Sequence, residues 1–166
     1  MLIVIVDSGI SDEVDNSDSH KESEKVFSEH GNNIHGLAIM SVIRKGCGDL
    51  ADIISVSIGD FSKEVSENEL ISVLENIEHS YTPDILNLSL GITVCHEKDR
   101  FARVLNKLVR KGTIIISAFD NAGSVSYPAA FDNVIGVVCG EECRKINDFE
   151  FFEDDIVNIG DRKSVV

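Results

Sequence analysis

Leu2-Ile3-Val4-Ile5-Val6-Asp7-Ser8-Gly9-Ile10 stands at the head of the chain, and its reading decides the fold. Five consecutive apolar residues, mostly β-branched, with no polar residue interrupting them, describe a strand buried on both faces. Strands of that kind belong to parallel sheets covered by helices on either side. In such sheets chemistry gathers at the carboxyl ends of the strands. The first acidic side chain, Asp7, is therefore delivered to the functional edge of the sheet, followed at once by Ser8-Gly9.

Working outward, the alternation continues. Asn32-Asn33 offers a helix cap ahead of His35-Gly36-Leu37-Ala38-Ile39-Met40-Ser41-Val42-Ile43, a segment apolar nearly all round and so expected as a buried central helix. His35 falls in its first turn, beside a glycine, where it is either a core histidine or a group facing a site. Gly46 and Gly48 break the chain before a second strand, Asp52 to Ile58. Ser66-Glu67-Asn68-Glu69 is a capping box, and the helix after it places Leu70, Ile71, Leu74 and Ile77 on one face. A third strand, Asp84 to Ser89, follows Pro83 and runs into Leu90-Gly91. A helix from His96 to Lys111 presents Phe101, Leu105, Leu108 and Val109, with Gly112 as its stop. Thr113 to Ala118 and Val134 to Cys139 complete five strands. Regular strand–helix alternation gives an α/β fold: three layers, a mostly parallel sheet with helices on both faces. Residues 1–166 read as one domain, without repeat or linker.

Composition narrows the function classes. The 166 residues are 43% apolar, with two prolines, which excludes a disordered chain. No apolar run reaches the length of a membrane span. The net charge of −14 argues against nucleic acid and anionic membranes as partners. Cys47, Cys95, Cys139 and Cys143 form no Cys-x-x-Cys pair, so neither a zinc site nor a disulfide framework is expected. Reduced thiols and a start with no basic segment or cleavage site ahead of the first strand fit a cytoplasmic protein. The polar, acidic stretch from Ser11 to Glu29 is expected as surface loop and matches no EF-hand spacing.

Four landmarks now stand in a recognisable order. Val4-Ile5-Val6-Asp7-Ser8-Gly9 resembles the aspartate motif of the subtilisin-like serine proteases (subtilases, peptidase family S8), and His35-Gly36-Leu37-Ala38 resembles their histidine motif at the head of a helix. Leu86-Asn87-Leu88-Ser89-Leu90-Gly91 is similar to the strand leading to their substrate-binding edge. Ala118-Phe119-Asp120-Asn121-Ala122-Gly123 is similar to the turn that supplies their oxyanion-hole asparagine, and Tyr127-Pro128-Ala129 follows as in the family. The resemblance covers about Leu2 to Gly160. It implies a subtilisin-like fold and a serine endopeptidase acting on a peptide or protein. Asp7 would then hold the imidazole of His35, His35 would take a proton from a hydroxyl nucleophile, and Asn121 would donate to the oxyanion. Ser89, Leu90 and Gly91 would pair with an extended substrate by strand addition. No cofactor is implied, calcium being possible through the resemblance alone, with no residues here to carry it.

The departures from the family pattern are as informative. Its nucleophile sits in a Gly-Thr-Ser-x-Ala-x-Pro segment at the start of a second buried helix, and the 166 residues contain none. Ser164 has no glycine elbow, and Ser124 and Ser126 lie in a loop resembling the pocket wall. Asp120 would set a negative charge beside an oxyanion hole. Two readings stay open: the N-terminal part of a protease, truncated before its nucleophile helix and inactive as it stands, or a non-catalytic peptide-binding pseudoprotease or half of a split enzyme. Either leaves an apolar groove beside the first helix, to be covered by a partner chain or a homodimer. Two other strand-end aspartate folds fit less well. A dehalogenase-type phosphatase needs an acid where Gly9 stands, and a receiver domain needs an aspartate where Ser89 stands.

Overall fold

β1 (Leu2–Asp7) is the centre of the sheet's first half: it pairs in parallel with β2 (Asp52–Ser57) on one side and β3 (Ile85–Leu88) on the other. The computed structural model describes residues 1–7, 34–58, 65–120, 124–139, 149–151 and 159–161. Beyond β3 come β4 (Ile114–Ala118), β5 (Ile135–Cys139), β7 (Ile159–Asp161) and β6 (Phe149–Phe151), giving a seven-stranded sheet in the order β2-β1-β3-β4-β5-β7-β6. Every pair is parallel except β6 with β7. The five expected strands are all present. β6 and β7 were not foreseen, because three residues each, set among acids, are too short for a period of two to show.

Helices cover both faces, as expected for three layers. α1 (Ile34–Cys47) packs on one side, and α2 (Glu67–Ser80) and α3 (Lys98–Arg110) pack on the other. α2 begins where its capping box requires: Ser66 Oγ accepts from the Glu69 amide, and the Glu69 carboxylate accepts from the Ser66 amide at 2.9 Å. Leu70, Ile71, Leu74 and Ile77 are all buried. In α3 the buried set is Phe101, Val104, Leu105 and Leu108, so Val104 takes the place expected for Val109, which lies toward water. The series from Phe101 includes Val104 at i+3, while Val109, at i+8 and next to the end of the helix, is 37% exposed. Gly112 adopts φ +95, the left-handed turn that ends α3.

The α2–α3 side holds the larger core. Val4, Val6, Leu86, Leu88 and Ile115 from the strands meet the four buried residues of each helix. Each such side chain taken fully from water contributes about 1.5–3 kcal/mol. On the α1 side, Ile3, Ile5 and Ile53 form a small cluster under Ile39, Met40 and Ile43, which are only partly buried. The expectation of a buried α1 is corrected here. Val42 is 66% exposed, and the helix lies on the sheet as an outer layer. Its apolar sequence marks residues that avoid water without saying what shields them.

Candidate functional site

The strand order places a switch point between β1 and β3. The chain steps from β1 outward to β2, then returns past β1 to β3, so the connections leaving β1 and β3 part at their carboxyl ends. Ligands in open α/β sheets bind in the crevice such a parting leaves. Asp7 is the last residue of β1, and Ser89 follows β3 with its amide on the Val6 carbonyl at 3.2 Å. Asp7 lies level with Ser57 of β2, whose neighbour Ile58 donates to the Asp7 carbonyl at 2.9 Å.

His35 comes to the same edge from the other direction, as the second residue of α1. Its Nδ1 stands 2.9 Å from Asp7 Oδ2. The carboxylate is 2% exposed at the residue level and the imidazole side chain 61% exposed. A carboxylate only accepts, so the proton of a neutral ring sits on Nδ1 and Nε2 carries the lone pair. That is the tautomer a general base requires. The buried acid fixes the ring while the ring itself meets solvent. Gly36, the next residue, is buried, and no side chain has to be accommodated there.

Ser89, Leu90 and Gly91, expected to pair with substrate, follow β3 directly. Asn87 Nδ2 donates to Ser89 Oγ at 2.8 Å, Leu90 packs against the larger core, and Gly91 is exposed. Ile92 and Tyr127 exchange both backbone hydrogen bonds at 2.8 Å, which ties this edge to the loop before Pro128. Ser126, in that loop, is fully buried, whereas Ser124 is exposed. The turn after β4 starts at Phe119, whose amide donates to the Val137 carbonyl at 2.8 Å, and Asp120 is half-buried. Asn121, like Ser8, Gly9, the 11–29 stretch and Ser164, lies outside the described residues. The structure thus brings together Asp7, His35 and Ser89.

Sequence reasoning passed over Glu67. Its carboxylate accepts from the amides of His96 and Glu97, at 3.0 and 2.6 Å, and from Cys95 Sγ at 3.2 Å. Burial alone would raise its pKa, but the His96 and Glu97 amides and the Cys95 thiol hold it below the usual carboxylate range. The first turn of α2 is thereby fastened to the segment 95–97 that precedes α3. Cys95 is pushed up to about 12, by burial first and the Glu67 carboxylate second, and stays a thiol at neutral pH. Only the pairing of an N1 acid with a loop 28 residues away carries this contact, and no local pattern encodes it. Among the described residues no three His, Cys, Asp or Glu side chains group as metal ligands, and no helix is long and apolar enough to cross a membrane.

With this geometry established, the comparisons are specific. A family model described as the subtilase family, Peptidase_S8, matches residues 5–155. The minor extracellular protease Epr of Bacillus subtilis (strain 168) is 26% identical over 170 residues, a match that takes in 93% of this chain and 25% of that protein. Among solved structures, the prenylagaramide maturation protease PagA superposes with a TM-score of 0.65 at 16% identity, over 97% of this chain and 59% of that one. A lanthipeptide protease superposes with a TM-score of 0.63 at 15% identity, over 83% and 48% respectively. The chain therefore spans a quarter of the curated relative and about half of these solved structures.

Proposed function

Because the chain belongs to the subtilase family, we propose that it supplies the acid and base of a serine endopeptidase site, with Asp7 orienting His35 and Asn121 donating to the oxyanion. The observation that carries this reading is the 2.9 Å contact between the Asp7 carboxylate and His35 Nδ1 at the switch point of the sheet. In the reaction, His35 Nε2 takes the proton of an attacking serine hydroxyl, and Asp7 stabilises the imidazolium that results. The proton then passes to the leaving amine. Ser89-Leu90-Gly91 pairs with the extended peptide. The serine comes from a Gly-Thr-Ser-type segment outside these 166 residues, on the same polypeptide or a partner, and the 166 residues by themselves turn nothing over.

The second reading, a peptide-binding pseudoprotease, draws support from Asp120, whose carboxylate belongs to the turn meant to receive negative charge. A fluorophosphonate probe separates the two. Protein isolated from its source should be labelled at serine, hydrolyse a denatured protein substrate, and lose both on His35→Ala; its intact mass should exceed that of residues 1–166. A product of 166 residues that binds peptides, resists the probe and cleaves nothing would establish the pseudoprotease instead.

Two further proposals belong with this reading. The partly exposed apolar residues of the α1 face, Ile114 and Ile116 on β4 and Ile135 and Val137 on β5, favour cover by a further segment, a partner chain or a second copy. The free thiols of Cys47 and Cys95 favour a reducing, cytoplasmic setting, although the Bacillus relative is extracellular by its name. Cell fractionation decides the latter.

A further inference from the structure

We propose that Asn87 is a positioning residue that makes the Ser89 hydroxyl a hydrogen-bond donor toward a main-chain carbonyl of a bound peptide. This rests on the reading of Ser89-Leu90-Gly91 as the segment that pairs with substrate. β3 sends Leu86 and Leu88 into the α2–α3 core. Ile85 packs with the small cluster under α1, so Asn87 and Ser89 lie on that same face by the alternation of a strand. Asn87 is level with Ile5 of β1 and Ile116 of β4. A half-buried amide between two isoleucines needs a polar partner, and neither side chain beside it can serve. The partner is Ser89: Asn87 Nδ2 donates to Ser89 Oγ at 2.8 Å.

The sense of that bond decides what Ser89 can do. An amide nitrogen only donates, so the Ser89 oxygen is the acceptor and its own proton is directed elsewhere. Among the described residues the Ser89 hydroxyl makes no second hydrogen bond. Its place is fixed by the ladder. The Ser89 amide donates to the Val6 carbonyl at 3.2 Å, one step past the Val6–Leu88 pair, which sets Ser89 level with Asp7. Asp7 shares the face of Ile3 and Ile5, and there it meets His35 Nδ1 at 2.9 Å. A half-buried donor therefore stands on the neighbouring strand, beside the acid–base pair and not bonded to it. A peptide laid along Ser89-Leu90-Gly91 brings main-chain carbonyls to this level. A carbonyl is an acceptor only, which is what the Ser89 proton lacks, and it can take the place of a water there without loss of a bond. Without Asn87 the hydroxyl would be free to turn its oxygen toward the peptide instead.

The test is a double-mutant cycle in the full-length protein with its nucleophile segment, read on two probes. Fluorescein-labelled casein can pair along its main chain; p-nitrophenyl acetate has no main chain to pair. Asn87→Val places an apolar, β-branched residue between two isoleucines and so keeps the strand. It should lower the ratio of kcat/KM on casein to that on the ester about 10-fold, and Ser89→Ala should do the same. The double variant should again show a ratio about 10-fold down, because both changes remove one bond-forming unit. Ser89→Thr, which keeps a hydroxyl on the same carbon, should hold the ratio within about threefold of the parent protein. An unchanged ratio in either single variant overturns the inference, whether neither probe or both equally are affected. Losses that multiply in the double variant make the two residues independent and overturn it too. All of these leave the protease reading intact. Casein cleavage that survives His35→Ala removes that reading, and this inference falls with it.

Discussion

On the α2–α3 face of the sheet, Leu86, Leu88 and Ile115 are buried in one apolar cluster with Phe101, Leu105 and Leu108 of α3 and the buried stripe of the capped α2. On the α1 face, β1 presents Ile3 and Ile5 to helix residues that are only partly buried, and on β4 Ile114 is 51% exposed. Asp7, His35 and Ser89 lie toward this second face or at its rim. The difference separates two tasks. One face supplies stability from local patterns that close on themselves. The other carries the Asp7–His35 pair, with partly exposed apolar residues beside it.

The sharpest way to break this division is at Asp7. In the full-length protein, Asp7→Asn should lower kcat about 10⁴-fold, because the amide no longer enforces the Nδ1–H tautomer or stabilises the imidazolium. Unfolding free energy should move by about 1 kcal/mol or less, since shape and burial are kept. Turnover and denaturant unfolding of the same preparation check both halves. A large loss of stability with little loss of turnover would make the pair a structural contact and dissolve the contrast.

Next in size is a comparison between neighbours on one strand. Ile115 is 1% exposed on the closed face, and Ile114 points the other way. Ile115→Ala should cost about 2–5 kcal/mol, through lost burial and the cavity left behind. Ile114→Ala should cost about 0.5 kcal/mol in residues 1–166. Should the second cost rise toward the first in the full-length protein, the open face is covered there; should it stay small, nothing packs on Ile114.

How much of this was legible in the sequence follows the same divide. β1, the cap at Ser66 and Glu69, and the buried stripe of α2 depend on contacts within a few residues, and they appear where the pattern puts them. Val104 displaced Val109 because the end of a helix can turn a periodic apolar residue to solvent. The surroundings of α1 were misjudged for a deeper reason: a residue's apolarity states its preference, while its burial depends on segments far away in sequence. Asp7 and His35 were readable as types on elements; that they touch is a fact of the sheet. The Glu67 tie and the hydrogen bond from the Asp120 amide to Ser126 Oγ join residues whose local patterns say nothing about each other, and Ser126 read only as a pocket-wall residue.

A smaller effect tests whether the closed face is as complete as its packing implies. Ser117, on β4 between Leu88 and Gly136, is fully buried, and among the described residues its Oγ is the one buried side-chain polar atom without a hydrogen-bond partner. An unsatisfied buried hydroxyl destabilises. Ser117→Ala should therefore raise the unfolding free energy by about 1 kcal/mol, read from the denaturant midpoint at constant slope. A loss of stability instead would mean the hydroxyl has a partner in solution.

The smallest effect lies at the seam between α2 and α3, and it is read by pH. Arg100 holds Glu75 by two hydrogen bonds, at 3.0 and 2.7 Å, and Lys111 stands 2.8 Å from Glu78. The Arg100 bond holds Glu75, and the Lys111 bond Glu78, below the usual carboxylate value of 4.5. A carboxylate whose folded pKa is depressed contributes fully above its unfolded value, and that contribution disappears as pH falls through the folded pKa. The seam should thus be intact above about pH 4.5 and weaken below it. Between neutral pH and that point the net charge of −14 acts in the opposite sense, since protonating other acids relieves repulsion. Total stability alone therefore cannot isolate the pair, and the comparison must be with Glu75→Gln. The difference between the two proteins, at most about 1 kcal/mol for so exposed a pair, should be constant above pH 5 and shrink toward zero by pH 3. Curves that stay parallel from pH 5 to 3 would show that the helices of the closed face are joined by their apolar residues alone.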